Sequence, residues 1–211
     1  MASWSIITYY CVFSMLVLAY LLGSLPSAVW IGKRYYGVDI REHGSKNAGT
    51  TNMLRVLGKR AAIPVFILDF FKGFLAVTLV GMLRYDPAIS SAWLINLKIL
   101  GVFAAVLGHI FPIFANFKGG KGVLCVAAMM LTLDWQVFVG LVVVFMLGAL
   151  VTKYISFGSI LAAMAYPLLV DRLSGYGIYT IISFIIAAIV FIKHIPNLKR
   201  ILNGTESKFK F

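Results

Sequence analysis

The segment from Gly44 to Arg55 combines small residues with hydroxyl, amide and cationic side chains. It reads Gly-Ser-Lys-Asn-Ala-Gly-Thr-Thr-Asn-Met-Leu-Arg. Backbone N–H groups beside small residues can approach an anion closely, and an arginine adds a positive charge with two parallel donors. The segment therefore indicates a phosphate cradle, although a solvated turn followed by the start of a helix explains the same composition. It lacks the Gly-x-x-x-x-Gly-Lys-Ser/Thr pattern and is not a Walker-type nucleotide loop.

A second candidate segment places two lysines around a pair of glycines. Lys118 and Lys121 flank Gly119 and Gly120 where an apolar stretch ends. Mobile cations beside exposed backbone donors again suit phosphate binding. Alternatively, the lysines extend to lipid headgroups and the glycines form a plain turn, and the composition supports both interpretations equally.

Charged residues also occur inside an apolar stretch. Asp69 and Lys72 are three residues apart, so they can meet on one helix face and neutralise each other. Charges within a membrane are costly, and we expect this pair to point into the helical bundle and support the site. His109, taken alone, is more often a hydrogen-bonded residue at a helix end than a catalyst.

Two further polar segments lie near the C-terminus. One runs over 154–159 and contains two serines, and the other runs over 193–206 and contains His194 and Asn197. Four anion-suited segments that converge on one side of a small helical bundle are hard to explain as plain turns. They favour a binding site for phosphate-bearing molecules.

The elements that position these segments are apolar helices. The chain has 211 residues, of which 61% are hydrophobic and 12% charged, with a mean hydropathy of +0.95. A soluble domain of this size has nowhere to bury so much apolar surface, so the solvent is a bilayer. The net charge of +12 lies mostly in short segments between apolar runs, which argues against nucleic-acid binding. Cys11 and Cys125 lie within apolar runs and indicate neither a disulfide nor a metal site.

We predict an all-α, polytopic integral membrane bundle of about seven transmembrane helices, in one domain over residues 1–211. In lipid, only helices or closed barrels satisfy the backbone, and the alternation of a barrel is absent. The fourth and sixth spans are shorter than the roughly 20 residues that cross a bilayer. The seven predicted spans are 7–32, 61–83, 93–116, 122–133, 137–152, 157–170 and 177–193.

Basic residues set the predicted orientation. Fifteen lysines and arginines fall on one side of the seven-span arrangement, and Arg84, Lys98 and Arg172 fall on the other. The positive-inside rule then places the N-terminus outside and the C-terminus in the cytoplasm. All four polar segments would meet the cytoplasmic face.

Taken together, the motifs resemble the bacterial acyl-phosphate:glycerol-3-phosphate acyltransferase family over most of the chain. Any one of these pieces is a weak signal, whereas the set in this order is specific. The family usually has glycine where Lys46 stands. The motifs are Gly23-Ser24-Leu25-Pro26-Ser27, the run from Gly44 to Arg55, Asp69-Phe70-Phe71-Lys72-Gly73, the run from Gly108 to Gly122, and His194, Asn197, Gly204 and Glu206.

The resemblance implies transfer of a fatty acyl group from acyl phosphate to the sn-1 hydroxyl of glycerol 3-phosphate, in the bacterial inner membrane and at its cytoplasmic face. It implies no metal or organic cofactor, and it adds the acyl-phosphate-producing enzyme as an expected partner beside membrane lipid. The catalytic residues implied are Ser45, Arg55, Lys121, Ser156, His194 and Asn197. The substrate-binding residues implied are Gly44, Asn47, Gly49, Thr51, Asn52, Lys118, Gly119, Gly120 and Ser159, and the choice between Ser156 and Ser159 as substrate contact stays open.

Other function classes fit less well. Acyltransferases that use acyl-CoA or acyl carrier protein rely on a histidine followed five positions later by aspartate. Here the positions five after the three histidines hold Ala48, Phe114 and Lys199. A transporter of an anionic metabolite would place its site near the midplane and often repeat its halves, whereas these motifs gather at one face without repetition.

Overall fold

The computed structural model describes residues 4–175 and 177–209. Over these residues the chain forms α-helices and short 3₁₀ turns without any strand, which confirms the all-α prediction. The helices are α1 (Ile6–Gly23), α2 (Ser27–Tyr36), α3 (Thr50–Leu57), α4 (Lys59–Gly81), α5 (Ser91–Ile110), α6 (Val123–Leu133), α7 (Trp135–Thr152), α8 (Ile155–Leu173) and α9 (Gly177–Leu202).

The chain divides into two compact units, Met1–Leu133 and Asp134–Phe211. In the first unit α4 is central, because it packs against α1, α2, α3, α5 and α6. In the second unit α8 packs against both α7 and α9. The prediction of a single domain over 1–211 stays a prediction.

Small residues allow the helices within each unit to approach closely. A Cβ atom added to Gly23 of α1 would lie 2.1 Å from the carbonyl oxygen of Ala105 in α5. In the second unit, a Cβ atom on Gly148 of α7 would lie 2.9 Å from the Cα atom of Gly158 in α8. Close backbone contact is the usual basis of helix association in membranes, where lipid removes most of the hydrophobic driving force.

The predicted first span, 7–32, is not one continuous helix. Helix α1 ends at Gly23 and α2 begins at Ser27. Pro26 has no N–H group and restricts the backbone of the residue before it, so the helix is interrupted there. The interruption brings the Leu25 carbonyl and the Ser27 hydroxyl within reach of α4.

Of the two spans predicted to be short, the fourth is short in the structure and the sixth is not. Helix α6 has 11 residues, so it is about 16 Å long and covers roughly half of a hydrocarbon core. Helix α8 has 19 residues, and the prediction that 157–170 is short was wrong. Ser156, Asp171 and Arg172 extend the helix beyond the apolar run, because the backbone hydrogen bonds of a helix form with polar as well as apolar side chains. Among the described residues, six helical segments are long and apolar enough to cross a membrane.

Candidate active site

The loop before α3 is held in shape by Asn52. The side-chain oxygen of Asn52 accepts a hydrogen bond from the Ser45 N–H at 2.8 Å. Its amide nitrogen donates to the carbonyl oxygens of Ile40 and His43, both at 3.0 Å. Asn52 is buried, and these three hydrogen bonds fix the shape of the loop that carries Ser45 and Asn47.

Two residues of this loop adopt the left-handed backbone region. Gly44 has φ +57°, and a Cβ atom there would lie 2.4 Å from the side-chain oxygen of Asn52. Lys46 has φ +58°, a conformation that costs a residue with a side chain about 1 kcal/mol or more. A glycine at position 46, which the resemblance implies for the family, would avoid this cost.

The loop leads directly into α3. Gly49 is the extended residue before the helix, which begins at Thr50, and Arg55 lies in its last turn. A turn followed by a helix start is thus the local structure, and both interpretations of the segment are compatible with it. Phosphate binding at this turn remains a prediction.

A neighbouring ion pair, Asp39 with Arg41, was not predicted from the sequence. The Arg41 guanidinium donates to both carboxylate oxygens of Asp39, and another of its nitrogens donates to the Ala115 carbonyl at 2.9 Å. Hydrogen bonds from Arg41 hold the pKa of Asp39 well below its usual range, although burial opposes this. Arg41 thus ties the turn after α2 to the loop after α5, and only its basic character was visible in the sequence.

The glycine pair does not present its backbone donors to solvent as expected. The Gly119 N–H donates to the Ile110 carbonyl at 3.3 Å, and the Gly120 N–H donates to the His109 carbonyl at 3.0 Å. The chain folds back onto the end of α5, where a Cβ atom on Gly119 would lie 2.1 Å from the His109 carbonyl oxygen. The glycines permit this close return, so the expectation of free N–H donors at these two residues was wrong.

The predicted ion pair in α4 is confirmed. The Lys72 ammonium lies 2.9 Å from the Asp69 carboxylate, and both side chains are buried. Lys72 also donates to the Leu25 carbonyl at 2.8 Å, and the Ser27 hydroxyl donates to Asp69 at 2.5 Å. The pair therefore fixes the interruption between α1 and α2.

In the second unit a carboxylate organises the predicted polar residues. Glu206 accepts hydrogen bonds from the Ser156 hydroxyl at 3.1 Å, the Asn197 amide at 2.7 Å and Arg200 at 2.6 Å. Burial raises the pKa of Glu206, but these three donors together lower it below its ordinary value. Glu206 belongs to the motifs that carry the resemblance, but the sequence indicated no role for it.

The two serines of α8 have different surroundings. The Ser156 hydroxyl belongs to the Glu206 cluster, whereas the Ser159 hydroxyl donates to the Ile155 carbonyl of its own helix at 3.0 Å. His194 is buried, and its Nδ1 atom lies 2.8 Å from the Val190 carbonyl oxygen one turn earlier in α9. These contacts favour Ser156 over Ser159 as the residue at a polar site.

Comparison with known proteins identifies the family. The sequence profile of the family described as glycerol-3-phosphate acyltransferase matches residues 13–204. A glycerol-3-phosphate acyltransferase of Fusobacterium nucleatum is 41% identical over 199 residues, which cover 94% of this chain and 98% of the relative. One from Bacillus cereus is 43% identical over 197 residues, covering 93% and 94%. The chain belongs to the glycerol-3-phosphate acyltransferase family.

Solved structures agree with this membership. The integral membrane glycerol 3-phosphate acyltransferase PlsY, in its glycerol 3-phosphate form, has a TM-score of 0.82 and 31% sequence identity, with 94% of this chain and 96% of that chain covered. Its lysophosphatidic acid form has a TM-score of 0.79 and 30% identity. The protein is therefore an integral membrane enzyme with several spans.

The predicted site residues of this acyltransferase form two sets, one in each unit. In the first unit, the loop of Ser45 and the turn of Gly119 and Gly120 come together, since a Cβ atom on Gly120 would lie 3.0 Å from the carbonyl oxygen of Ala48. Thr51 and Lys118 are exposed, and Lys121 is half-buried just after that turn. In the second unit, Ser156 and Asn197 meet at Glu206.

Proposed function

We propose that this glycerol-3-phosphate acyltransferase takes its acyl group from a fatty acyl phosphate and transfers it to the sn-1 hydroxyl of glycerol 3-phosphate. The products are 1-acyl-glycerol 3-phosphate and inorganic phosphate, the first acylation of phospholipid synthesis. The reaction would occur at the cytoplasmic face of the bacterial inner membrane, the side on which fifteen of the basic residues are expected.

The observation that carries this proposal is the pairing of the carboxylates in the motif segments. Among the described residues of these segments, Asp69 pairs with Lys72 and Glu206 pairs with Arg200, and Asp39, just before the run from Gly44 to Arg55, pairs with Arg41. A carboxylate engaged with a lysine or arginine is a weak base. The pairing therefore favours a donor reactive enough for the acceptor hydroxyl to attack it without a protein carboxylate as base.

An acyl phosphate meets that requirement because it is a mixed anhydride. The acceptor hydroxyl oxygen forms the new ester bond to the acyl carbon, and the bond from that carbon to the phosphate oxygen breaks. The electron pair leaves with phosphate, and a phosphate oxygen of a substrate takes the hydroxyl proton. The enzyme then has mainly to hold two anions together and orient them, which positioning and electrostatics can supply.

The predicted roles divide between the two substrates. We assign Ser45, Asn47, Gly49 and Thr51 to the acyl-phosphate group, with Asn52 shaping their loop. The acceptor contacts proposed are Arg55, Lys121, Ser156, His194 and Asn197. The hydrogen bond of Ser156 to Glu206 supports its choice over Ser159.

The test compares donors on the purified protein. With glycerol 3-phosphate as acceptor, we expect acyl phosphate to support release of phosphate and formation of 1-acyl-glycerol 3-phosphate, measured together by mass spectrometry. Acyl-CoA and acyl carrier protein thioesters should give background rates. Comparable turnover with a thioester would show that the proposed donor is wrong, and an sn-2 ester would show that the proposed regiochemistry is wrong.

A further inference from the structure

His109 lies between the buried ion pair of α4 and the turn that precedes Lys121. Its Nδ1 atom is 3.9 Å from the Asp69 carboxylate, too far for a direct hydrogen bond. Within residues 4–175 and 177–209, the buried Nδ1 atom has no hydrogen-bond partner. Packing and the nearby charges of Asp69 and Lys72, rather than a hydrogen bond, therefore hold the Nδ1 edge of this ring.

The opposite edge of the ring rests on the glycine turn. A Cβ atom on Gly120 would lie 2.1 Å from the Nε2 atom of His109, so the ring and the backbone of Gly120 are in contact. The backbone of the two residues is joined as well, because the Gly120 N–H donates to the His109 carbonyl at 3.0 Å. A displacement of the ring therefore has to displace the turn.

The backbone position of Lys121 is constrained by the residues on either side of it. It follows Gly120 directly, and Gly122 after it has φ +85°, which turns the chain into α6 at Val123. Since α6 packs against α4, the position of the Lys121 backbone depends on the Gly120 contact on one side and on a packed helix on the other.

We propose that His109 is a positioning residue for the acceptor: its ring, oriented by Asp69 and Lys72, fixes the Gly119–Gly120 turn and thereby places Lys121 for the phosphate of glycerol 3-phosphate. The inference rests on the proposed role of Lys121 in binding the acceptor. It assigns His109 no proton transfer and no contact with substrate.

The experiment measures kcat and both KM values for the detergent-purified enzyme and its His109 variants. A glutamine side chain reaches as far as Nε2, whereas an asparagine side chain reaches only as far as Nδ1. We expect His109→Ala and His109→Asn to raise the KM for glycerol 3-phosphate about tenfold, and His109→Gln to raise it about threefold. The KM for the acyl donor should stay within about twofold of the wild-type value.

A double variant tests whether the ring itself sets the turn. Gly120→Ala alone should raise the KM for glycerol 3-phosphate, because its Cβ atom collides with the ring. Removal of the ring in His109→Ala/Gly120→Ala should then recover part of that loss, so that the two effects are strongly non-additive. The control is Ser183→Ala, which removes a buried hydroxyl that donates to the Thr180 carbonyl within α9 and should change neither KM.

Several outcomes would overturn the proposal. His109 would be merely structural if the KM values of both substrates rose alike, if only the melting temperature fell, or if His109→Gln and His109→Asn behaved identically. Additive effects in the double variant would also contradict it. Failure of the donor assignment can be told apart from failure of this proposal. If the donor were wrong, the wild-type enzyme would show no turnover with acyl phosphate, and the effect of each variant on the KM for glycerol 3-phosphate could still be measured with another donor.

Discussion

Lys46 occupies a backbone conformation that glycine adopts at little cost. Its φ of +58° is left-handed, and a side chain there costs about 1–2 kcal/mol, partly offset by the greater entropy that glycine loses on folding. We expect Lys46→Gly to raise the melting temperature by about 2–4 °C, whereas the β-branched Lys46→Val should lower it.

Thermal unfolding in detergent measures both changes. The control is Lys199→Gly, an exposed lysine inside α9, where glycine should lower the melting temperature because it weakens a helix. If Lys46→Gly destabilised the protein as Lys199→Gly does, the left-handed conformation at residue 46 would be wrong.

Arg55 and Lys121 are the residues on which the acceptor assignment depends most directly. A charge-assisted hydrogen bond contributes about 1.5–3 kcal/mol, so replacement of either residue by alanine should lower kcat/KM roughly ten- to a hundredfold. Arg55→Lys should recover only part of the loss, because an ammonium group cannot reproduce the two parallel donors of a guanidinium.

Steady-state kinetics and melting temperature, measured in parallel, separate a site defect from a folding defect. Lys199→Ala and Lys208→Ala serve as controls, since both lysines are exposed and should matter little for turnover. Activity close to wild type in both Arg55→Ala and Lys121→Ala would refute the proposed acceptor site.

At the scale of the elements, Glu206 joins the start of α8 to the end of α9. It does so by accepting from Ser156 in α8 and from Asn197 and Arg200 in α9. Gly204, with φ +69°, lets the chain turn back so that the Glu206 N–H reaches the Arg200 carbonyl at 3.1 Å. Glu206 therefore holds the start of α8, the end of α9 and the turn after α9 together.

The lowered pKa of Glu206 makes this element sensitive to acid. Its stabilising contribution is fully present above the ordinary carboxyl pKa of 4.5 and is lost as the pH falls through the lower value of the folded state. We expect Glu206→Gln to lower the melting temperature at neutral pH. The melting temperature of this variant should also fall less steeply below pH 4.5 than that of the wild type. The matched variant Glu42→Gln, at an exposed carboxylate, should leave both unchanged.

At the scale of the whole molecule, orientation depends on α6. Six helical segments among the described residues can span a bilayer by length, and an even number would return both termini to the same side. The seven-span prediction therefore requires that α6, which has only 11 residues, crosses the bilayer together with the loops beside it.

Cysteine labelling tests this directly. In a background without Cys11 and Cys125, single cysteines at Ser3 and Ser207 should react with an impermeant thiol reagent from opposite sides of the membrane. Ser3 lies outside the described residues, and Ser207 is exposed after α9. Labelling from the same side would contradict the predicted orientation and show that α6 does not cross.

The sequence by itself determined the class of the fold and the family, and it predicts the segments that carry chemistry. Hydrophobic runs of this length without the alternation of a barrel require helices in a bilayer, so the predicted spans correspond to helices of the structure, except that the first is divided into α1 and α2. The pairing of Asp69 with Lys72 could also be predicted, because residues three apart share a helix face.

Only the tertiary structure decided what the polar side chains contact. Asn52 turns inward to the backbone of its own loop, the Gly119 and Gly120 N–H groups return to the end of α5, and Glu206 gathers residues up to 50 positions away. Each of these contacts depends on where the chain turns back and how closely its backbone approaches. Residue type and spacing specify that a polar group needs a partner, but the partner is chosen by the packing of segments distant in sequence.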